Sequence, residues 1–210
     1  MKVLIVYAHH EPKSFSAALL RKSVTTLEEE GHEVQVSDLY AMGFNPVASA
    51  VDFKERRFPN ALQYDREQKY AFERDGFSED IKAEIDKLLR CDFLILQFPL
   101  WWYSVPAIMK GWIDRVLVNG VAYGKGKCMN TGGLKGRRAM MAMTTGCYEE
   151  MIQQRGLLGD HNIILWHLNA GTLAYVGFDV LPPFLPGLST TLMKKSGLLT
   201  LKSMPGACAH

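Results

Sequence analysis

A short apolar strand that leads into an aromatic loop constrains this chain more than any other feature. Residues 93–96 form an apolar run between Asp92 and Gln97. Residues 98–105 contain one proline and four aromatic residues, and Pro106 stands where a helix would begin. Such a run is typical of a buried parallel strand, and proline is favoured at the first helical position. Because ligands of open α/β sheets bind outside the carboxyl ends of strands, the loop is a candidate wall for a flat ligand.

Strand and helix signals alternate along the chain. Periodicity predicts strands over residues 3–8, 33–39, 92–97, 138–145 and 178–181, and helices over 16–30, 79–89, 106–118 and 163–175. This alternation indicates an α/β fold with a doubly wound, five-stranded parallel sheet in the flavodoxin-like order 2-1-3-4-5. We expect one domain over residues 1–185, followed by a short tail over 186–210.

Composition excludes several classes of protein. The formal charge of the 210 residues is +2, which does not favour a nucleic-acid partner, and no segment approaches the ~20 apolar residues of a membrane span. The first residues enter a strand directly, so we expect no secretory leader and a cytoplasmic protein. The four cysteines are scattered without zinc-ligand spacing, and this indicates reduced thiols.

Three predicted strand ends converge on one candidate site. The first leads through a polar loop, residues 9–16, into a helix N-terminus, which can bind a phosphate group. The alternative is that Ser14 or Ser16 only caps the helix. The second strand end is the aromatic loop, whose side chains could equally belong to the core, and the third is residues 144–147, where Gly146 would permit close approach of a ligand.

Several motifs resemble those of the NAD(P)H:quinone reductases, the DT-diaphorase family. They lie in order over about residues 1–185, at 2–9, 37–46, 97–102, 105–112, 144–146 and 159–166. The resemblance implies a flavodoxin-like fold and a homodimer that binds FAD, favoured over FMN, at the subunit interface. By the same resemblance, NADPH or NADH would deliver a hydride to flavin N5, and a small-molecule quinone would then receive two electrons in the same pocket.

The resemblance also implies individual contacts. The pyrophosphate and ribityl parts of FAD would be held by His9, Ser14, Phe15, Ser16 and Ala18, and its adenine end by Gln63 of the other subunit. The isoalloxazine edge would be lined by Pro99, Leu100, Trp101, Trp102 and Tyr103, and its pyrimidine side by Thr144, Thr145, Gly146 and Cys147. Catalysis would depend on Trp102, Tyr103 and Gly146, while Tyr123, Gly124 and Tyr175 would contact the substrate. We expect Phe98 and Trp112 to lie in the core.

The chain departs from the family pattern at several positions. Ile152 and Leu158 stand where a tyrosine and a histidine usually stabilise the reduced flavin, and neither side chain can donate a hydrogen bond. Tyr148 or His161 would have to take over this role if the loop is rearranged. Lys125 replaces an aromatic gate, and Ala170 and Ala174 replace histidines that bind zinc in one branch, so we expect no metal.

These departures leave function classes open beside the two-electron quinone reductase. Loss of the tyrosine and histidine favours a flavin-binding regulatory or interaction subunit with little catalysis. A one-electron carrier of the flavodoxin type is disfavoured, because a carrier usually presents an acidic docking face and this chain is nearly neutral. The donor also stays open between NADH, NADPH and a smaller dihydronicotinamide.

Overall fold

The computed structural model of the chain describes residues 1–186, apart from the side chain of Glu149. The predicted tail therefore lies outside the described residues, except for Pro186 at its start. Within residues 1–186, no helix is both long and apolar enough to cross a membrane.

Five parallel strands form one sheet in the order β2-β1-β3-β4-β5, which confirms the predicted fold. The strands are β1 (Lys2–Tyr7), β2 (Glu33–Asp38), β3 (Phe93–Pro99), β4 (Arg138–Thr144) and β5 (Asp179–Val180). The helices are α1 (Phe15–Glu29), α2 (Tyr64–Phe72), α3 (Glu79–Arg90), α4 (Ala107–Val116), α5 (His161–Ile164) and α6 (Trp166–Leu168).

Apolar side chains cover both faces of this sheet. Successive residues of β3 alternate between two core clusters, with Leu94 and Leu96 on one face and Phe93 and Ile95 on the other. Helices α3 and α4 pack on the first face, where Trp112 is fully buried, and α1 packs on the second. Because both faces are covered, β3 is buried along its whole length, as its continuous apolar run predicts.

The register of the central strands aligns their carboxyl ends. Tyr7 of β1 lies opposite Gln97 of β3, and Pro99 of β3 lies opposite Thr144 of β4. The loops that follow these three strands therefore leave the sheet along one edge, as the sequence predicts.

The sequence predicts one continuous helix over residues 163–175, and this prediction is wrong. The segment forms α5, α6 and a π-helical stretch, Asn169–Ala174, instead of one α-helix. Asn, Gly and Thr within that stretch are weaker helix formers than Ala, and the Thr172 hydroxyl donates to the carbonyl of His167, 3.1 Å away. The last strand is also shorter than predicted, since only Asp179–Val180 pairs as β5.

Helix α2 lies inside a long connection for which the sequence predicted no element. The buried face of α2 contains Glu67 and Gln68, so its periodic pattern is polar and does not resemble an amphipathic helix. Glu67 accepts hydrogen bonds from the main-chain N–H groups of Arg57 and Phe58, at 2.7 and 2.9 Å. Polar contacts of this kind attach α2 to the connection, while Phe53 and Phe77 at either side of α2 pack into the apolar core.

A buried ion pair joins the same connection to α4. The Arg115 guanidinium donates to both carboxylate oxygens of Asp52, at 2.9 and 3.2 Å, and to the Asn45 carbonyl at 2.6 Å. Both charged side chains are buried, and the Tyr64 hydroxyl also donates to Asp52. Burial and the neighbouring Asp52 carboxylate raise the pKa of Tyr64 above its ordinary value, which keeps the phenol a donor.

We expect Asp52→Asn to lower the free energy of unfolding by up to about 3–5 kcal/mol, because it leaves the buried Arg115 charge only its second partner, the partly exposed Asp80 carboxylate at 3.0 Å. Asp114→Asn is the matched control, since Asp114 pairs with Lys110 at the surface and its loss should cost less than about 1 kcal/mol. Urea unfolding of both variants measures the difference, and equal losses would contradict the assignment.

Candidate active site

The loop between β1 and α1 combines a helix cap with an unsatisfied hydroxyl. Ser14 caps α1 by accepting a hydrogen bond from the N–H of Ala17 at 3.1 Å. A helix cap was one of the two roles that the sequence left open for this loop. Ser16 is buried, and its hydroxyl has no hydrogen-bond partner among the described residues. Phe15 is exposed and Ala18 is half-buried. The cap does not use Ser16, which leaves one donor in the first helical turn for a ligand.

The imidazole of His9 is held by its own loop. Its Nδ1 accepts a hydrogen bond from the N–H of Glu11 at 3.0 Å, so in the neutral ring Nε2 carries the proton. Burial lowers the pKa of His9, and the neighbouring His10 lowers it further. The ring therefore presents an N–H donor at its other nitrogen.

The aromatic loop after β3 is a tight turn with a strained backbone. Trp101 and Ser104 exchange two main-chain hydrogen bonds, both 3.0 Å, around Trp102 and Tyr103. These two residues have φ angles of 51° and 60°, in the left-handed region that L-residues rarely occupy. Trp102 is 98% exposed, so its conformation is not explained by packing within the chain. Backbone strain at an exposed aromatic indicates a functional position.

The loop after β4 completes the same edge. The Thr144 carbonyl accepts from the N–H of Leu100 at 2.7 Å, and Thr145 Oγ1 accepts from the N–H of Cys147 at 3.2 Å. A Cβ added at Gly146 would meet no atom within 4 Å. Within the described residues nothing requires glycine there, whereas a ligand lying against the backbone would.

A second group of predicted residues lies apart from this edge. The rings of Tyr123 and Tyr175 are 6.4 Å apart, and the Tyr123 hydroxyl donates to Gln68 of α2 at 3.3 Å. Gly124 follows in the left-handed region with φ of +149°, and Gln63 precedes the first residue of α2. Within residues 1–186, no hydrogen bond or ring contact links this group to the Trp101–Ser104 turn.

The structure shows the surroundings of the residues that depart from the family pattern. Ile152 is buried in the core and Leu158 packs against it. Tyr148 is exposed, and Nδ1 of His161 lies 3.2 Å from the Ile152 carbonyl. Neither Ile152 nor Leu158 can donate a proton, and the His161 imidazole contacts the main chain of this segment.

Sequence reasoning missed three contacts of the site. Gln97 is buried at the end of β3, and its amide nitrogen donates to the Ser16 carbonyl at 2.7 Å, which ties β3 to α1. Ser104 Oγ lies 3.2 Å from His167 Nε2, and this contact holds the aromatic turn against α6. His10 contacts rings from two other loops. Gln97 could have been identified from the sequence, because it is a polar residue at the end of an otherwise apolar strand.

The residues at this edge fit a flavin. A planar ring would lie against the exposed aromatic turn and the open space at Gly146, and a phosphate group would meet His9, Ser16 and the start of α1. Among the described residues, the main-chain N–H groups of Trp102, Tyr103 and Gly146 have no hydrogen-bond partner. No group of three or more His, Cys, Asp or Glu side chains within the same part of the chain could hold a metal.

Comparison with known proteins defines the class. A family model described as flavodoxin-like fold matches residues 1–196. A ribosyldihydronicotinamide dehydrogenase [quinone] of Mus musculus is 44% identical over 87% of this chain and 79% of its own length. The NAD(P)H dehydrogenase [quinone] 1 of Rattus norvegicus is 42% identical over 87% of this chain and 67% of its own length.

A solved structure gives the same result. A candidate quinone reductase from Klebsiella pneumoniae is 41% identical, with a TM-score of 0.82 over 88% of this chain and 74% of its own. Fold and site together are those of a flavodoxin-like oxidoreductase. The chain belongs to the NAD(P)H:quinone reductase family, which confirms the resemblance that its motifs indicated.

We expect Trp102→Asn to raise the free energy of unfolding by about 0.5–1 kcal/mol, because asparagine tolerates the left-handed region and the tryptophan side chain is exposed. Leu157→Asn is the control, since Leu157 is also exposed but its backbone lies outside the left-handed region, so that asparagine relieves no strain there. Urea unfolding without added flavin gives both values, and no gain at position 102 would show that the turn is unstrained.

Proposed function

We propose that this chain is an FAD-dependent quinone reductase that takes its hydride from NADPH or NADH. One observation carries the proposal: three loops meet at one sheet edge, where the strained, exposed aromatic turn faces solvent beside Gly146. The names of the relatives support the quinone as acceptor and a reduced nicotinamide as donor.

The phosphate part of the cofactor would be bound by the β1–α1 loop. His9 offers its free ring nitrogen, Ser16 offers its unpartnered hydroxyl, and Ser14 keeps the first turn of α1 in place. Phe15 and Ala18 lie on the same turn of α1. The positive end of the helix dipole favours an anion at this position.

The ring part would lie between the second and third loops. Pro99, Leu100 and Trp101 would form one wall and Thr144, Thr145 and Cys147 the other, with Trp102, Tyr103 and Gly146 as the catalytic positions. When bound, the flavin would accept a hydride from the nicotinamide and deliver it to the quinone, so that two substrates use one pocket in turn. The free N–H groups of the catalytic positions would stabilise developing negative charge without reorganisation.

The substrate pocket would be completed by a second copy of the chain. Tyr123, Gly124 and Tyr175 form a group that makes no described contact with the Trp101–Ser104 turn of its own chain. In a homodimer they would cover the pocket of the partner, and Gln63 would reach the adenine end of FAD. An adenine contact of this kind favours FAD over FMN.

A flavin-binding regulatory subunit is the second candidate, and the burial of Ile152 favours it. A buried isoleucine at that position cannot hydrogen-bond to the cofactor, and Leu158 cannot either. Such a subunit would bind flavin without oxidising the nicotinamide at a useful rate.

Initial rates of NADPH and NADH oxidation, measured at several menadione concentrations after reconstitution with FAD, test the proposal. We expect parallel lines in double-reciprocal plots, because the first product leaves before the second substrate enters the same pocket. Protein without flavin is the control and should be inactive. Intersecting lines would exclude the alternating order, and bound flavin without oxidation of either nucleotide would favour the regulatory subunit.

We expect Leu158→His to speed the nicotinamide-dependent reduction of bound flavin by about 10- to 100-fold, since a positioned acid or base contributes about that much or more. Leu157→His is the control, because it adds the same side chain one residue away, at a position that is 83% exposed. Stopped-flow rates of both variants decide the matter, and an unchanged rate for Leu158→His would show that the lost histidine does not limit the reaction.

A further inference from the structure

Two histidines stack on each other in the β1–α1 loop. The rings of His9 and His10 are nearly parallel, with centroids 4.9 Å apart and an angle of 13° between the planes. His10 also contacts Trp101 of the aromatic turn at 5.8 Å and Tyr40, which follows β2, at 5.8 Å. Rings from three strand ends thus fix the second imidazole beside the first.

Few charged side chains surround the histidine pair, and most of them already form hydrogen bonds. The Glu11 carboxylate accepts from the N–H of Lys13 at 2.8 Å, and Arg21 donates to the Pro12 carbonyl at 3.0 Å. Asp38, at the end of β2, accepts from the N–H of Ala41 at 3.1 Å. Glu11 acts electrostatically on His9 in the direction opposite to that of His10. His9 and His10 are the histidines among these groups, and histidine is the side-chain type that most readily changes its charge near neutral pH.

Stacked imidazoles repel each other when both are protonated. At 4.9 Å, two positive charges raise the free energy of the doubly charged pair, and burial of His9 adds to this cost. A diphosphate beside the pair would favour a proton on His10, whereas the His9 ring stays neutral, because its Nδ1 accepts a hydrogen bond from the N–H of Glu11 at 3.0 Å and its Nε2–H is left to donate to the anion. The unpartnered hydroxyl of Ser16 and the start of α1 place such an anion at this loop.

We propose that His10 is a second phosphate-binding imidazole, which acts with His9 so that binding of the flavin diphosphate takes up protons from solution. This inference rests on the proposed function. It adds a residue that hydrogen-bonding patterns alone do not reveal, since the position of His10 is fixed by ring contacts.

The dependence on pH has a defined direction. A bound anion favours the protonated form of an imidazole, so the affinity gained through His10 is greatest at low pH and is lost as pH rises. The diphosphate of FAD is fully ionised near neutral pH, so its own charge does not change. Affinity should therefore fall between about pH 6 and pH 8.

Titration of the flavin-free protein with FAD at pH 6, 7 and 8, followed by quenching of flavin fluorescence, tests this inference. We expect the wild-type dissociation constant to rise by about 30-fold from pH 6 to pH 8, and that of His10→Gln by at most about fivefold. Calorimetry in two buffers of different ionisation enthalpy should show proton uptake that His10→Gln reduces. His10 is exposed, so this substitution leaves the fold in place.

His32→Gln is the matched control. His32 lies just before β2, at the opposite edge of the sheet, beside the N-terminal amine. It should keep the wild-type dependence on pH. A His10→Gln profile equal to that of the wild type, or an equal loss in His32→Gln, would overturn the role of His10 and leave the proposed function intact. Absence of FAD binding by the wild type at every pH would instead overturn both.

Discussion

The parallel hydrogen-bond register of β1, β3 and β4 determines where everything functional in this chain lies. Tyr7 opposite Gln97 and Pro99 opposite Thr144 bring three strands to an end along one edge. Right-handed crossovers place helices over both faces, so this edge is where the crevice of a doubly wound sheet opens. Gln97 adds a direct bond from β3 to the start of α1. A helix N-terminus, an aromatic turn and a glycine loop therefore meet at this edge. The register of the strands, rather than any one of these loops, determines that they meet.

Buried polar side chains stabilise the long connection between β2 and α3. That connection is too long for an ordinary loop, and its apolar residues Phe44, Phe53 and Phe77, which pack into the core, are separated by polar stretches. Asp52, Glu67 and Gln68 are instead buried and hydrogen-bonded to the backbone or to Arg115. Such contacts cost desolvation, but they are directional and fix one geometry. The arrangement also positions Tyr123, whose hydroxyl donates to Gln68.

Elements with apolar periodicity could be predicted from the sequence, and elements with polar buried faces could not. The continuous apolar run of β3 and the alternation of strand and helix signals along the chain indicated five parallel strands in the flavodoxin-like order. Helix α2 escaped prediction because Glu67 and Gln68 occupy its inner face. At the site, motifs placed His9, Trp102 and Gly146 at one edge, but the left-handed turn and the histidine stack depend on contacts between loops that are distant in sequence.

Anaerobic mixing of the FAD-reconstituted protein with NADPH, and separately with NADH, tests the central claim most directly. The account predicts that at least one donor bleaches the visible band of the bound flavin completely, and that a quinone then restores it. Flavin that stays oxidised with both donors, although it is firmly bound, would contradict the reductase and leave a flavin-binding protein with another role.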